Sequence, residues 1–168
     1  YIELAKQWVS NLKLFDVAPI ECWDSRVSWA KELTDEILAY KMHAIDFICV
    51  VVVNKTLSSD YFISTISGLD SREILFIGDE CHHHGSLKIN KLLPEAARFR
   101  LGLSATPEHY LDDEKNKNLF SYYGNVIAEY SLSQAIKDKV LTPYYYHVIP
   151  VPLTENEASQ YVSLSAQI

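Results

Sequence analysis

Ile74-Leu75-Phe76-Ile77-Gly78 runs into Asp79-Glu80-Cys81-His82, and this stretch decides the fold. Five residues without a charge read as a buried strand, and the apolar run ends abruptly in two adjacent carboxylates. In an open parallel α/β sheet, ligands bind beyond the carboxyl ends of the strands. Acidic side chains delivered there are placed to hold a metal ion and to activate water. A second strand, Phe99-Arg100-Leu101-Gly102-Leu103, leads into Ser104-Ala105-Thr106-Pro107. The interval between Asp79 and Ser104 accommodates one loop-helix crossover, the connection that neighbouring parallel strands require.

The same alternation extends in both directions. Ile2, Ala5, Trp8, Val9 and Leu12 recur at helical spacing and predict an opening amphipathic helix, with Trp8 on its core-facing side. Val17 to Glu21 predicts a short strand. Asp24 or Ser25 is placed to cap a helix carrying Val27, Ala30, Leu33 and Ile37, and Asp46 to Val53 predicts a further strand. Ser58 or Ser59 caps a helix through Phe62 and Ile66, and a helical region from Ser86 to Ala97 is interrupted by Pro94. Glu108 to Asn118, polar and charged, predicts a mobile loop. Ser131 caps a short helix ended by Pro143, Tyr144 to Leu153 reads as extended, and Thr154 with Glu157 forms a capping-box signature. Strands and helices alternating at this interval predict an α/β fold, a parallel sheet flanked by helices.

The 168 residues, 48% of them hydrophobic, suffice for one domain with a real core. Fifteen Lys and Arg against 22 Asp and Glu give a formal net charge of −7. A dedicated sequence-independent coat for nucleic acid is usually basic, because neutralising phosphates supplies most of its affinity, so the charge balance argues against that class. Three cysteines, Cys22, Cys49 and Cys81, show no disulfide spacing and fit a reducing, intracellular setting, cytoplasmic or nucleoid and nuclear. No stretch approaches the apolar length of a membrane span, and no membrane partner is expected.

The Asp-Glu-Cys-His run and the Ser-Ala-Thr run resemble motifs II and III of superfamily 2 helicases, in the DEAD/DEAH-like variant. Leu4-Ala5-Lys6-Gln7-Trp8 is similar to the family's motif Ia. Tyr123 to Leu132, Gln134-Ala135-Ile136 and Val140 to Tyr144 resemble the segment after motif III in the branch containing repair and restriction-associated DNA helicases. The resemblance implies a RecA-like, P-loop NTPase-type fold. It implies partial motor domain 1 over residues 1–150, and over 151–168 a lead toward a second RecA-like domain.

By that resemblance, Asp79 takes Mg2+ through water, Glu80 acts on the attacking water beside the same ion, and His82 relays nucleotide state. Ser104 and Thr106 couple hydrolysis to strand separation. Gln7, Lys55 and Thr56 lie where motifs Ia and Ib meet nucleic acid, DNA rather than RNA. ATP is the implied substrate and Mg2+ its cofactor. The P-loop of the family, Gly-x-x-x-x-Gly-Lys-Ser/Thr, does not occur in the chain, and no glycine prepares the backbone ahead of Lys55 to cradle phosphate. The expectation is therefore a fragment of an ATP-dependent helicase or translocase, inactive by itself. The alternative is a non-catalytic binding domain that keeps the fold. Cys81 with His82, His83 and His84 also raises zinc, but consecutive side chains rarely converge on one tetrahedral ion, and no second Cys/His pair has ligand spacing. His83 and His84 are expected in a loop near the nucleic acid.

Overall fold

The computed structural model describes residues 2–108 and 112–165. The chain divides into two compact units, Tyr1–Asn125 and Val126–Ile168. The first is built from alternating helices and short parallel strands. Helix α1 (Ile2–Lys13) buries Ala5 and Val9. Strand β1 (Ile20–Cys22) follows, starting later than the sequence predicts because Pro19 has no N–H and the first ladder bond is Ile20 N–H to the Cys49 carbonyl, 2.8 Å. Helix α2 (Arg26–Lys41) returns the chain to β2 (Val50–Val52), which lies parallel to β1 with Ile20 opposite Val50 and Cys22 opposite Val52.

Trp29, Leu33 and Ile37, one helical turn apart, form the buried stripe of α2. They pack with Ile20, Cys22, Leu57, Phe62 and Leu93 into the main core. Each large aliphatic side chain so buried contributes roughly 1.5–3 kcal/mol relative to leaving it in water. Two short helices, α3 (Asn54–Leu57) and α4 (Asp60–Ile66), complete this side, the Ser59 hydroxyl accepting from the Phe62 N–H at the start of α4. The edge of the Trp29 ring meets Tyr61 and Phe62 with centroids 5.8 and 6.1 Å away.

Strand β3 (Leu75–Gly78) pairs in parallel with β4 (Phe99–Gly102), Gly78 directly opposite Gly102. Between them run a 3-10 turn over Cys81–Gly85 and the single-turn helix α5 (Leu87–Asn90). The helical region expected up to Ala97 thus stops short of Pro94. The strands form two hydrogen-bonded pairs rather than one continuous sheet. An apolar cleft of about 300 Å³, lined by Val50, Val52, Ile74 and Phe76 among others, borders both pairs.

The charged segment after Thr106 corrects the expected loop. Residues 109–111 lie outside the described residues, but Asp113–Tyr123 is helix α6. The Asp112 carboxylate accepts from the Lys115 N–H at 3.0 Å, and Asp113 and Glu114 in the first turn complement the helix dipole. Leu119, buried, and the two tyrosines at its end supply the packing face that the charge run conceals.

In the second unit, the Ser131 hydroxyl caps α7 (Leu132–Lys137) through the Gln134 N–H. Tyr144 to Leu153 carries no helix or strand. Thr154 and Glu157 form the reciprocal capping box ahead of α8 (Glu155–Ser165), with Thr154 N–H to Glu157 Oε2 at 2.9 Å. No helix among the described residues is long and apolar enough to cross a membrane.

Candidate active site

The ends of β3 and β4 are laced together beyond the strands themselves. Leu103 N–H donates to the Gly78 carbonyl and Cys81 N–H to the Leu103 carbonyl, each at 2.9 Å. The carboxylates after β3 and the hydroxyls after β4 therefore share one edge of the sheet. Asp79 is held on both oxygens: Oδ1 accepts from the Glu80 N–H at 2.9 Å, and Oδ2 from the Trp8 indole N–H at 2.7 Å.

Glu80 has φ 48° and ψ 44°, the left-handed region, which costs a non-glycine residue on the order of 1–2 kcal/mol. This backbone turn converts the strand into the 3-10 segment and leaves the Glu80 side chain half-exposed. Its Oε2 lies 3.3 Å from His82 Nδ1. The same nitrogen stands 3.0 Å from Ser104 Oγ. Ser104 Oγ in turn accepts the Thr106 N–H at 3.1 Å and keeps a second lone pair, so an Nδ1–H on His82 can be shared between Glu80 Oε2 and Ser104 Oγ. Glu80, His82 and Ser104 are thus connected in one polar chain, and the backbone of Thr106 is tied to it.

Beneath this edge lies a buried layer. His84 Nδ1 is 2.7 Å from the Tyr123 hydroxyl, and the two rings stack on each other, with Phe76 stacked on Tyr123 and tilted against His84. Burial, reinforced by His83 and His82 nearby, pushes the His84 imidazole down to about 4, so it is neutral at ordinary pH. Burial also pushes the Tyr123 hydroxyl and the Cys81 thiol up. Glycine is required opposite them: a Cβ on Gly78 would overlap the Tyr123 hydroxyl, and one on Gly102 would come 2.9 Å from Cys81 Sγ.

His84 is therefore a core residue that fixes the turn, not a loop residue facing nucleic acid. His83 remains exposed, its ring centroid 4.0 Å from that of His82. Trp8, expected in the core, is only part-buried and spends its N–H on Asp79. Gln7 and Lys55 are exposed, whereas Thr56 is buried at 7% exposure and does not offer its side chain to the surface. Sequence reasoning missed Trp8 and Tyr123 as members of the site. A signal for Tyr123 was present, because two strands ending in glycine at matched positions leave room for a bulky ring.

Asp79 is a hard oxygen donor, and each of its oxygens keeps a lone pair after accepting one hydrogen bond. That suits magnesium, which retains several waters and is held by one or two carboxylates together with substrate phosphates. Among the described residues no three His, Cys, Asp or Glu side chains form a metal cage. A model of the SWI2/SNF2 ATPase family matches residues 3–165 of the chain. No curated protein matches it, and no solved structure does.

Proposed function

The chain belongs to the SWI2/SNF2 ATPase family, and we propose that it is part of the first RecA-like motor domain of a superfamily 2 DNA helicase or translocase. Its role is to couple ATP hydrolysis to strand separation or translocation, in repair or restriction. The observation that carries this reading is the polar chain from Glu80 through His82 to Ser104, which joins the turn after β3 to the loop after β4. A nucleotide-dependent movement of either loop would be felt by the other.

In this reading Asp79 and Glu80 work as two carboxylates with separate tasks. Asp79, pinned on both oxygens, presents a fixed face to Mg2+ through water. Bound with ATP, the ion would neutralise charge on the β- and γ-phosphates. Glu80 is held less tightly and orients or deprotonates the attacking water, a task worth typically 10²- to 10⁴-fold in rate. His82 senses its position and Ser104 carries that information to Thr106 and the helix that follows. The phosphate cradle lies outside these 168 residues, the two β-strand pairs belong to a larger parallel sheet, and residues 151–168 lead toward a second RecA-like domain. The DNA-facing edge includes Gln7 and Lys55.

Hydrolysis by the full-length protein, measured with and without DNA or RNA, tests the assignment. Stimulation by DNA is expected. Stimulation by RNA alone would overturn the DNA assignment, and the absence of any hydrolysis would overturn the motor.

A further inference from the structure

The Trp8 indole belongs to no step described so far, although it touches the most constrained carboxylate of the site. It donates to Asp79 Oδ2 at 2.7 Å across 71 positions of sequence. The other oxygen is held locally by the Glu80 N–H at 2.9 Å. Two donors from different elements, one on each oxygen, fix the plane of the carboxylate as a single donor cannot. The helix that carries Trp8 is itself anchored, because Ala5 and Val9 on its inner face are buried at 7% and 5% exposure.

The chemistry of the donor matters as much as its position. An indole N–H only donates, carries no charge and does not titrate in the physiological range. A lysine in the same place would orient Asp79 but would also neutralise it and repel a cation. Trp8 orients the carboxylate and leaves its charge, and one lone pair on each oxygen, to other partners.

We propose that Trp8 is a positioning residue for the Asp79 carboxylate, setting the orientation in which it meets Mg2+. This rests on the reading of Asp79 as the magnesium-bearing carboxylate. Partners that orient a metal-binding side chain typically change metal affinity 10- to 100-fold when removed.

The test replaces Trp8 in the full-length protein by benzothienylalanine, which keeps the bicyclic shape and substitutes sulfur for N–H, with Trp8→Phe alongside. The Mg2+ concentration giving half-maximal nucleotide binding is measured together with melting temperature and with nucleotide affinity in the absence of metal. For the isostere, a rise of about tenfold in the Mg2+ requirement is expected, with melting temperature and metal-free affinity unchanged. Asp79→Asn serves as the reference. If Asp79→Asn raises the Mg2+ requirement and the isostere does not, the positioning role is overturned while Asp79 stands. If Asp79→Asn itself changes nothing, the reading of Asp79 fails and the role of Trp8 falls with it. An independent readout is the Trp8 indole N–H resonance, which Asp79→Asn should shift; an unmoved resonance also overturns the proposal.

Discussion

His82 Nδ1 stands 3.0 Å from Ser104 Oγ, so a ring on the turn after β3 is tied to a hydroxyl on the loop after β4. Ser104 is joined to Glu80 only through His82. Ser104→Ala with Thr106→Ala should therefore leave most of the ATPase in the full-length protein and reduce coupled unwinding or translocation by about tenfold. Parallel assays of phosphate release and strand separation distinguish this from a simple catalytic defect, in which both would fall together.

Gly78→Ala should destabilise the first unit, because the added methyl overlaps the Tyr123 hydroxyl and approaches His84 Cε1 to 3.0 Å. Overpacking of this kind costs about 1–3 kcal/mol. Tyr123→Phe removes the clashing oxygen, so the double variant should lose less than the two single changes added together. Denaturant melts of the four members of this cycle give the coupling; strict additivity would mean that the contact is not what excludes a side chain at residue 78.

The buried His84 makes stability depend on pH in a defined direction. Its folded value, about 4, lies below the ordinary 6.5, so between these values the unfolded chain binds the extra proton. The contribution is complete above pH 6.5 and is lost as pH falls toward 4, amounting to about 2 kcal/mol already at pH 5. Apart from Tyr123, the groups acting on it are His83 and His82, which push the same way. His84→Gln should flatten the fall in unfolding free energy between pH 7 and pH 5, whatever it does to stability at pH 7. An unchanged slope would contradict the burial argument.

Nucleic-acid binding by this acidic chain should be weak and should fade between low and moderate salt, since a few cations such as Lys55 release few counterions. Titration of labelled single- and double-stranded DNA at two salt concentrations measures it. Tight, salt-insensitive binding would favour a stand-alone binding domain over a motor.

The strand-to-acid transition at Gly78-Asp79-Glu80 and the caps at Ser131 and Thr154 were legible because each is local: apolar run, charge, hydroxyl and Glu lie within a few residues of one another. Helix α6 was hidden by Asp113, Glu114, Lys115 and Lys117, a solvent-facing charge pattern that looks like a loop when its buried partner, the turn carrying His84 and Gly85, is far away in sequence. Trp8 shows the same limit at the site. Its helical spacing placed it on the apolar face, but a pattern of spacing says nothing about where an indole N–H points, and its partner is 71 positions distant. Thr56, adjacent to an exposed lysine, is buried because successive helical residues turn by about 100°, which puts Thr56 with Leu57 on the inner face and leaves Asn54 and Lys55 outside.

The central claim is that Glu80 activates water for ATP hydrolysis while taking little part in holding the nucleotide. Glu80→Gln in the full-length protein preserves shape and removes the base. Single-turnover hydrolysis and equilibrium ATP binding should separate cleanly: affinity within about twofold of the unmodified protein, hydrolysis slower by about 10²- to 10⁴-fold. Hydrolysis at the unmodified rate, with the fold and nucleotide affinity intact, would contradict the account.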